Sequence, residues 1–155
     1  LYFERHQDRL AIIGDLFQKK EDAFENTAHP LLAAARTRLM PELKDKVVLE
    51  TVKQWLKDWS ARDMDKYASY YSKRFYSDRL NKKQWVRRKR YLADKYQYIR
   101  VTGKHFQVTT KGKRAEVVFF QDYRSSGHST QGRKTLKLVD EGGSWKIFQE
   151  SWKKK

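Results

Sequence analysis

Three patches inside Ala115–Trp152 decide the fold: Phe119-Phe120-Gln121-Asp122-Tyr123, Lys134-Thr135-Leu136-Lys137-Leu138 and Gly143-Ser144-Trp145-Lys146-Ile147-Phe148-Gln149-Glu150. Each alternates, or nearly alternates, apolar with polar residues, the period of a strand with one buried face. Turn-formers separate them: Ser125-Ser126-Gly127 and Gly132 before the second, Asp140-Glu141-Gly142-Gly143 before the third. The chain therefore closes in an antiparallel meander. Lys111-Gly112-Lys113 reads as the hairpin into it from a first strand over Tyr98–Thr110, where Phe106 and Val108 alternate with Gln107 and Thr109.

Upstream the period is helical. Leu10, Ile13, Leu16, Phe17 and Phe24 mark a helix over Arg9–Phe24, with a break at His29-Pro30 and a short Ala-rich helix over Leu31–Leu39. Pro41 fits the first position of a further helix, whose Val48, Val52, Trp55, Leu56 and Trp59 share one face. Asp63 caps a short helix holding Tyr67, Tyr70 and Tyr71, with Phe75 and Tyr76 in a loop beyond it. Asn81 and Gln84 form a capping box for a helix to about Tyr96, with Trp85, Leu92 and Tyr96 inward. Helices followed by a meander give an α+β domain, helices packed on a four-stranded antiparallel sheet.

At 155 residues the chain is long enough for one proper core, and five Trp, nine Tyr and eight Phe supply much of it. With no cysteine, disulfides and thiolate chemistry are excluded, which suits an extracytoplasmic bacterial protein but is also common among cytosolic domains. The longest apolar run, Leu31–Ala35, is far short of a transmembrane segment. The sequence carries no signal peptide; beginning at Leu1, it reads as a processed form or a piece of a longer protein. Its net charge of +16 points to anionic partners. Between Lys73 and Lys104 twelve Lys and Arg face only Asp78 and Asp94. Lys82, Lys83, Arg87, Arg88, Lys89 and Arg90 crowd onto one helix as a candidate anion-binding surface, or as a solvated face whose stems cover Trp85 and Leu92. No Gly-rich phosphate loop, zinc finger or RNA-recognition signature supports sequence-specific nucleic-acid reading.

The pattern Trp55-x3-Trp59-Ser60-x2-Asp63-x3-Tyr67-x2-Tyr70-Tyr71-x3-Phe75, with Trp85 on the next helix, resembles the front half of a nuclear transport factor 2-like domain. Phe120-Gln121-x-Tyr123-x-Ser125, Lys134-x-Leu136-x-Leu138 and Gly143-x-Trp145-Lys146-Ile147-x2-Glu150 resemble its back half. The resemblance spans about Val47 to Trp152 and is nearest the accessory domain appended to bacterial L,D-transpeptidases and related cell-envelope proteins. It implies a curved sheet around helices with a cone-shaped cavity. It divides the chain into 1–40, a helical linker or docking arm, and 41–155, the domain. The same scaffold hosts isomerases, cyclases and non-catalytic modules, so fold leaves function open. The L,D-transpeptidase nucleophile is a cysteine, which this chain lacks, so the resemblance implies an accessory portion.

Gln121 and Tyr123 share a face with Val117 and Phe119. With Tyr67, Tyr71, Trp85, Lys134 and Glu150 they are the candidate ligand-binding cavity; the competing reading makes the same aromatics plain core and Gln121 part of a buried network. Glu150 either pairs with Lys134 or faces solvent. For isomerase chemistry a cavity carboxylate is needed; Asp63 is a cap and Asp122 points to the opposite side, so no Asp or Glu is well placed as a base. His6, His29, His105 and His128 show no metal-ligand spacing. The expectation is a non-catalytic, periplasmic or otherwise extracytoplasmic module that uses no cofactor and no metal. Peptidoglycan or another anionic envelope polymer is its expected ligand. Val118, Phe120, Phe148 and Trp152 are assigned to the outer sheet face as a homodimer contact, the parent enzyme being the other candidate partner. A general polyanion binder and a small-molecule isomerase or cyclase are the alternatives.

Overall fold

The computed structural model describes residues 30–155, with side chains from Leu39 onward. The expected Arg9–Phe24 helix and the His29 break lie outside the described residues. The chain divides into units Leu1–Glu42 and Leu43–Lys155, and the site belongs to the second. Helix α1 runs over Pro30–Ser60 with Pro41 inside it. This corrects the expectation of two helices parted before Pro41. A proline inside a helix removes one N–H and strains the preceding turn; here the backbone bears that loss without breaking.

The face read from Val48, Val52, Trp55, Leu56 and Trp59 is buried, none of them more than 6% exposed. Helix α2 covers Met64–Ser69, with the Asp63 carboxylate accepting from Lys66 N at 3.2 Å. Helix α3 covers Lys82–Lys95 and opens with the expected capping box, Gln84 N to Asn81 at 2.9 Å and Asn81 N to Gln84 at 3.0 Å. Between α2 and α3, β1 (Tyr76–Ser77) and β2 (Leu80–Asn81) pair as a small hairpin where the sequence suggests only loop. Asp78 and Arg79 turn it with φ of 51° and 63°, the sense that matches strand twist. Neither residue is the glycine that normally advertises such a turn.

The main sheet is β3 (Ile99–Lys111), β4 (Arg114–Ser125), β5 (Ser129–Glu141) and β6 (Ser144–Lys154), antiparallel in that order. The four-stranded α+β architecture read from the sequence is the one observed. Two irregularities shift side chains between faces. In β3 the register slips between Lys104 and Gln107, at His105, which has a φ of 58°. In β6, Leu138 faces Ile147 while Lys137 faces Gln149, so Phe148 is a bulged residue. Ile147 also exchanges backbone hydrogen bonds of 2.8 Å with Tyr70 O and Ser72 N, tying the bulge to the segment after α2.

The bulge reverses the alternation. Trp145 and Ile147 point to the core before it, and after it Glu150 and the more exposed Trp152 lie on the same concave side. Gly132 makes room for that crossing. A Cβ there would meet Lys153 O at 2.3 Å and the Trp152 ring at 3.0 Å. Gly132→Ala is therefore expected to cost about 1–3 kcal/mol by overpacking and to displace Trp152. A lower midpoint of denaturant unfolding and a changed tryptophan emission check both effects.

Candidate functional site

Beneath the sheet's concave side lies a chain of polar groups sealed from solvent. The Lys134 ammonium reaches Glu150 Oε2 at 3.2 Å, and the Tyr71 hydroxyl donates to Glu150 Oε1 at 2.5 Å. Tyr71 and Tyr67 share a hydrogen bond of 2.7 Å. Trp55 Nε1 donates to Tyr71 at 3.1 Å and Trp85 Nε1 to Tyr67 at 3.3 Å. The hairpin joins in, with Glu150 N donating to the Ser77 hydroxyl at 2.8 Å. Burial, then the Glu150 charge, pushes both phenols well above their ordinary range, so they stay neutral. Both carboxylate oxygens of Glu150 are engaged, so it serves as a counter-ion.

Above this layer opens a cavity of about 330 Å³. Its walls are Trp59 from α1, Trp85 and Leu92 from α3, Tyr123 from β4 and Trp152 from β6. Its polar groups are Gln121, Lys134, Lys89, Arg88 and Thr130, with Asp78 and His128 also lining it. Gln121 is 3% exposed and its Oε1 has no hydrogen-bond partner. Lys89 sits with its ammonium 5.1 Å from the Trp59 ring centre and 5.0 Å from that of Trp85. Among the described residues no carboxylate forms an ion pair with it. Burial, with Lys134 adding repulsion, lowers its pKa to about 8.

The seven expected cavity residues therefore split. Trp85, Gln121, Tyr123 and Lys134 line the space, whereas Tyr67, Tyr71 and Glu150 form the floor network beneath it. Glu150 pairs with Lys134 and does not face solvent, so a carboxylate is present in the interior, though not as a free base.

Two assignments are corrected. Trp152 belongs to the cavity, its ring 5.5 Å from Lys134 Nζ, because the Phe148 bulge turns it away from the outer face. Lys89 belongs to the cavity too, separating it from the rest of the basic helix. Its place was readable in principle. Trp85, Lys89 and Ala93 are spaced at i, i+4 and i+8, so a lysine stands on the buried stripe. Arg88 also borders the cavity, while Lys82, Lys83, Arg87 and Arg90 line a separate open groove of about 650 Å³ with Lys73. Two of the groove's cations are committed. Lys82 donates to Tyr71 O at 2.9 Å, and Arg90 pairs with Asp65 at 2.6 Å.

The family model described as the Cds6 C-terminal NTF2-like domain covers residues 47–151. The chain belongs to this family. Bd1075 of Bdellovibrio bacteriovorus is 29% identical over 70% of the chain with a TM-score of 0.67, and the match spans 39% of that protein. Pgp2 of Campylobacter jejuni, described as a helical cell shape determining protein, is 18% identical over 67% of the chain and 39% of its own, at a TM-score of 0.61. An NTF2-like protein of unknown function from Pseudomonas putida KT2440 shares the fold at 12% identity, TM-score 0.65, with 72% of this chain and 86% of that one covered. This chain thus spans well under half of Bd1075 and Pgp2. No curated protein matches it. No helix among the described residues is long and apolar enough to cross a membrane.

Proposed function

We propose that this domain is a non-catalytic binding module of an extracytoplasmic bacterial envelope protein. Its cavity takes a carboxylate-bearing sugar–peptide fragment of the peptidoglycan type. The observation that carries this reading is Lys89, an ammonium held between two indoles without a carboxylate partner, beside an amide whose Oε1 is unsatisfied. Holding a partly buried cation this way costs stability, and an anionic ligand would offset the cost. The Trp59, Trp85 and Trp152 rings give apolar faces on which a sugar can stack, and the volume suits a small ligand. Likeness to a cell-shape-determining protein supports an envelope setting. The isomerase reading needs a carboxylate held inside the cavity and free to accept a proton; Glu150 has both oxygens occupied, and Asp78, the carboxylate at the cavity's edge, stands exposed on the hairpin turn.

Calorimetry with a soluble disaccharide–peptide from peptidoglycan tests this. Gln121→Leu is expected to weaken binding at least tenfold, because the ligand loses its amide contact. The same change removes an unpaired buried acceptor and should not lower thermal stability. Unchanged affinity in Gln121→Leu, or no binding by the wild type at millimolar ligand, would overturn the reading. Little loss of affinity on raising salt separates the cavity from the open groove, where binding would fall steeply.

A further inference from the structure

The outer face of the sheet carries a second, independent feature. Residues opposite one another in register point to the same side, so the pairings define that face. Across it stand Arg100, Lys104, Lys111, Arg114, Arg124, Arg133, Lys137, Lys146 and Lys153, against Glu116, Asp122 and, at the hairpin end, Glu141. Asp122 is already neutralised by Arg124 at 3.2 Å. One row, Lys104–Phe120–Arg133–Lys153, crosses all four strands. All of these cations except Lys146 are exposed.

The apolar residues on this face are not free. Phe120 lies under Lys104 and Lys155, 5.0 and 5.8 Å from its centre, and Phe148 lies under Arg114 at 4.6 Å. Two copies meeting here would bring six net positive charges against six, which disfavours the expected homodimer contact. Of the large exposed hydrophobic residues, Tyr98 stands at one edge of this face beside Arg124, and a single tyrosine offers little to insert into a bilayer core or a protein groove. The charge is instead spread in two dimensions over strands of 11 to 13 residues. A shallow cavity of about 240 Å³ opens on it among Thr109, Lys111, Arg114, Lys137 and Phe148, with Glu116 at its side.

We infer that the outer sheet face docks on an anionic lipid surface, its cations contacting headgroup phosphates. Charge spread over an area matches a lattice of headgroups, whereas a linear polymer would call for a track. The cavity beside Arg114 has room for one headgroup phosphate. Contact is electrostatic and superficial, each cation near such a surface contributing about fivefold in affinity.

The test is sedimentation of the full chain with vesicles of phosphatidylcholine containing 30 mol% phosphatidylglycerol, a composition chosen as about one anionic lipid in three. Binding to these, absence of binding to pure phosphatidylcholine, and loss on raising salt are expected. Arg114→Gln/Arg133→Gln/Lys153→Gln should bind about a hundredfold more weakly. Lys83→Gln/Arg87→Gln/Lys73→Gln removes the same charge from the open groove and should bind less than fivefold more weakly. Equal losses in the two triple variants would make net charge the cause and overturn the assignment. Failure of the wild type to sediment would do the same, as would tight binding of single-stranded DNA or polyphosphate without vesicle binding. Circular dichroism verifies that both variants are folded, and the disaccharide–peptide affinity should be unchanged in the sheet-face variant.

Discussion

Lys134→Met is expected to destabilise the domain by about 3–5 kcal/mol, enough to leave much of it unfolded at 37 °C. Lys134 and Glu150 are both 6% exposed and lie 3.2 Å apart. Removing the ammonium strands a buried carboxylate whose remaining side-chain support is the Tyr71 hydroxyl. The effect belongs to the unpaired charge rather than to the loss of an attractive contact. Lys134→Met/Glu150→Gln, which removes both charges and keeps an acceptor for Tyr71, should recover most of the loss. Urea unfolding of the wild type, both single variants and the double variant completes the cycle. Additive losses would show that the pair is not coupled.

Lys89→Met is expected to act in the opposite direction on stability while abolishing ligand binding. The Lys89 pKa is lowered from 10.5 to about 8, chiefly by burial. At pH 7 both folded and unfolded chains carry the proton, and the folded state bears the cost of holding the partly desolvated charge. Between about 8 and 10.5 the folded chain releases its proton first, so the wild type gains stability as pH rises through that window. The Trp59 and Trp85 faces offset part of the cost. A gain of about 1–3 kcal/mol for Lys89→Met at pH 7 follows, shrinking as the pH approaches 10. Thermal melts at pH 7 and pH 10 measure it. A variant less stable than wild type at pH 7 would show that the ammonium contributes favourable contacts. Stability gained together with binding lost is the mark of a residue kept for a ligand.

Much of the fold was legible because its signals are local. The α1 face from Val48 to Trp59, the Asp63 cap and the Asn81–Gln84 box each rest on residues within a few turns of one another. The Gln121–Tyr123 face is two-residue alternation and needed nothing more. The Tyr76–Asn81 hairpin escaped notice because Asp78-Arg79 lacks the glycine or asparagine that marks such turns. The residue types of the cavity floor are visible in the sequence, but their division into a buried network and an open space depends on which side chains approach from three different elements.

Trp152 and Lys89 show where sequence stops. Alternation alone puts Trp152 beside Phe148 on the outer face. The Phe148 bulge, seated where Ile147 exchanges hydrogen bonds with Tyr70 and Ser72, moves it into the cavity. The partners in that exchange are more than seventy residues apart in the chain, and no local pattern announces the contact. Lys89 reads as one more charge in a basic run until Trp59 and Trp85 close on either side of it. The sequence by itself determined the meander, the helices that cover it and the family, because periodicity and capping are properties of neighbours. Only the tertiary structure decided which faces the late residues of β6 occupy and which cation of the basic helix turns into the cavity, because both depend on backbone and ring contacts between distant segments.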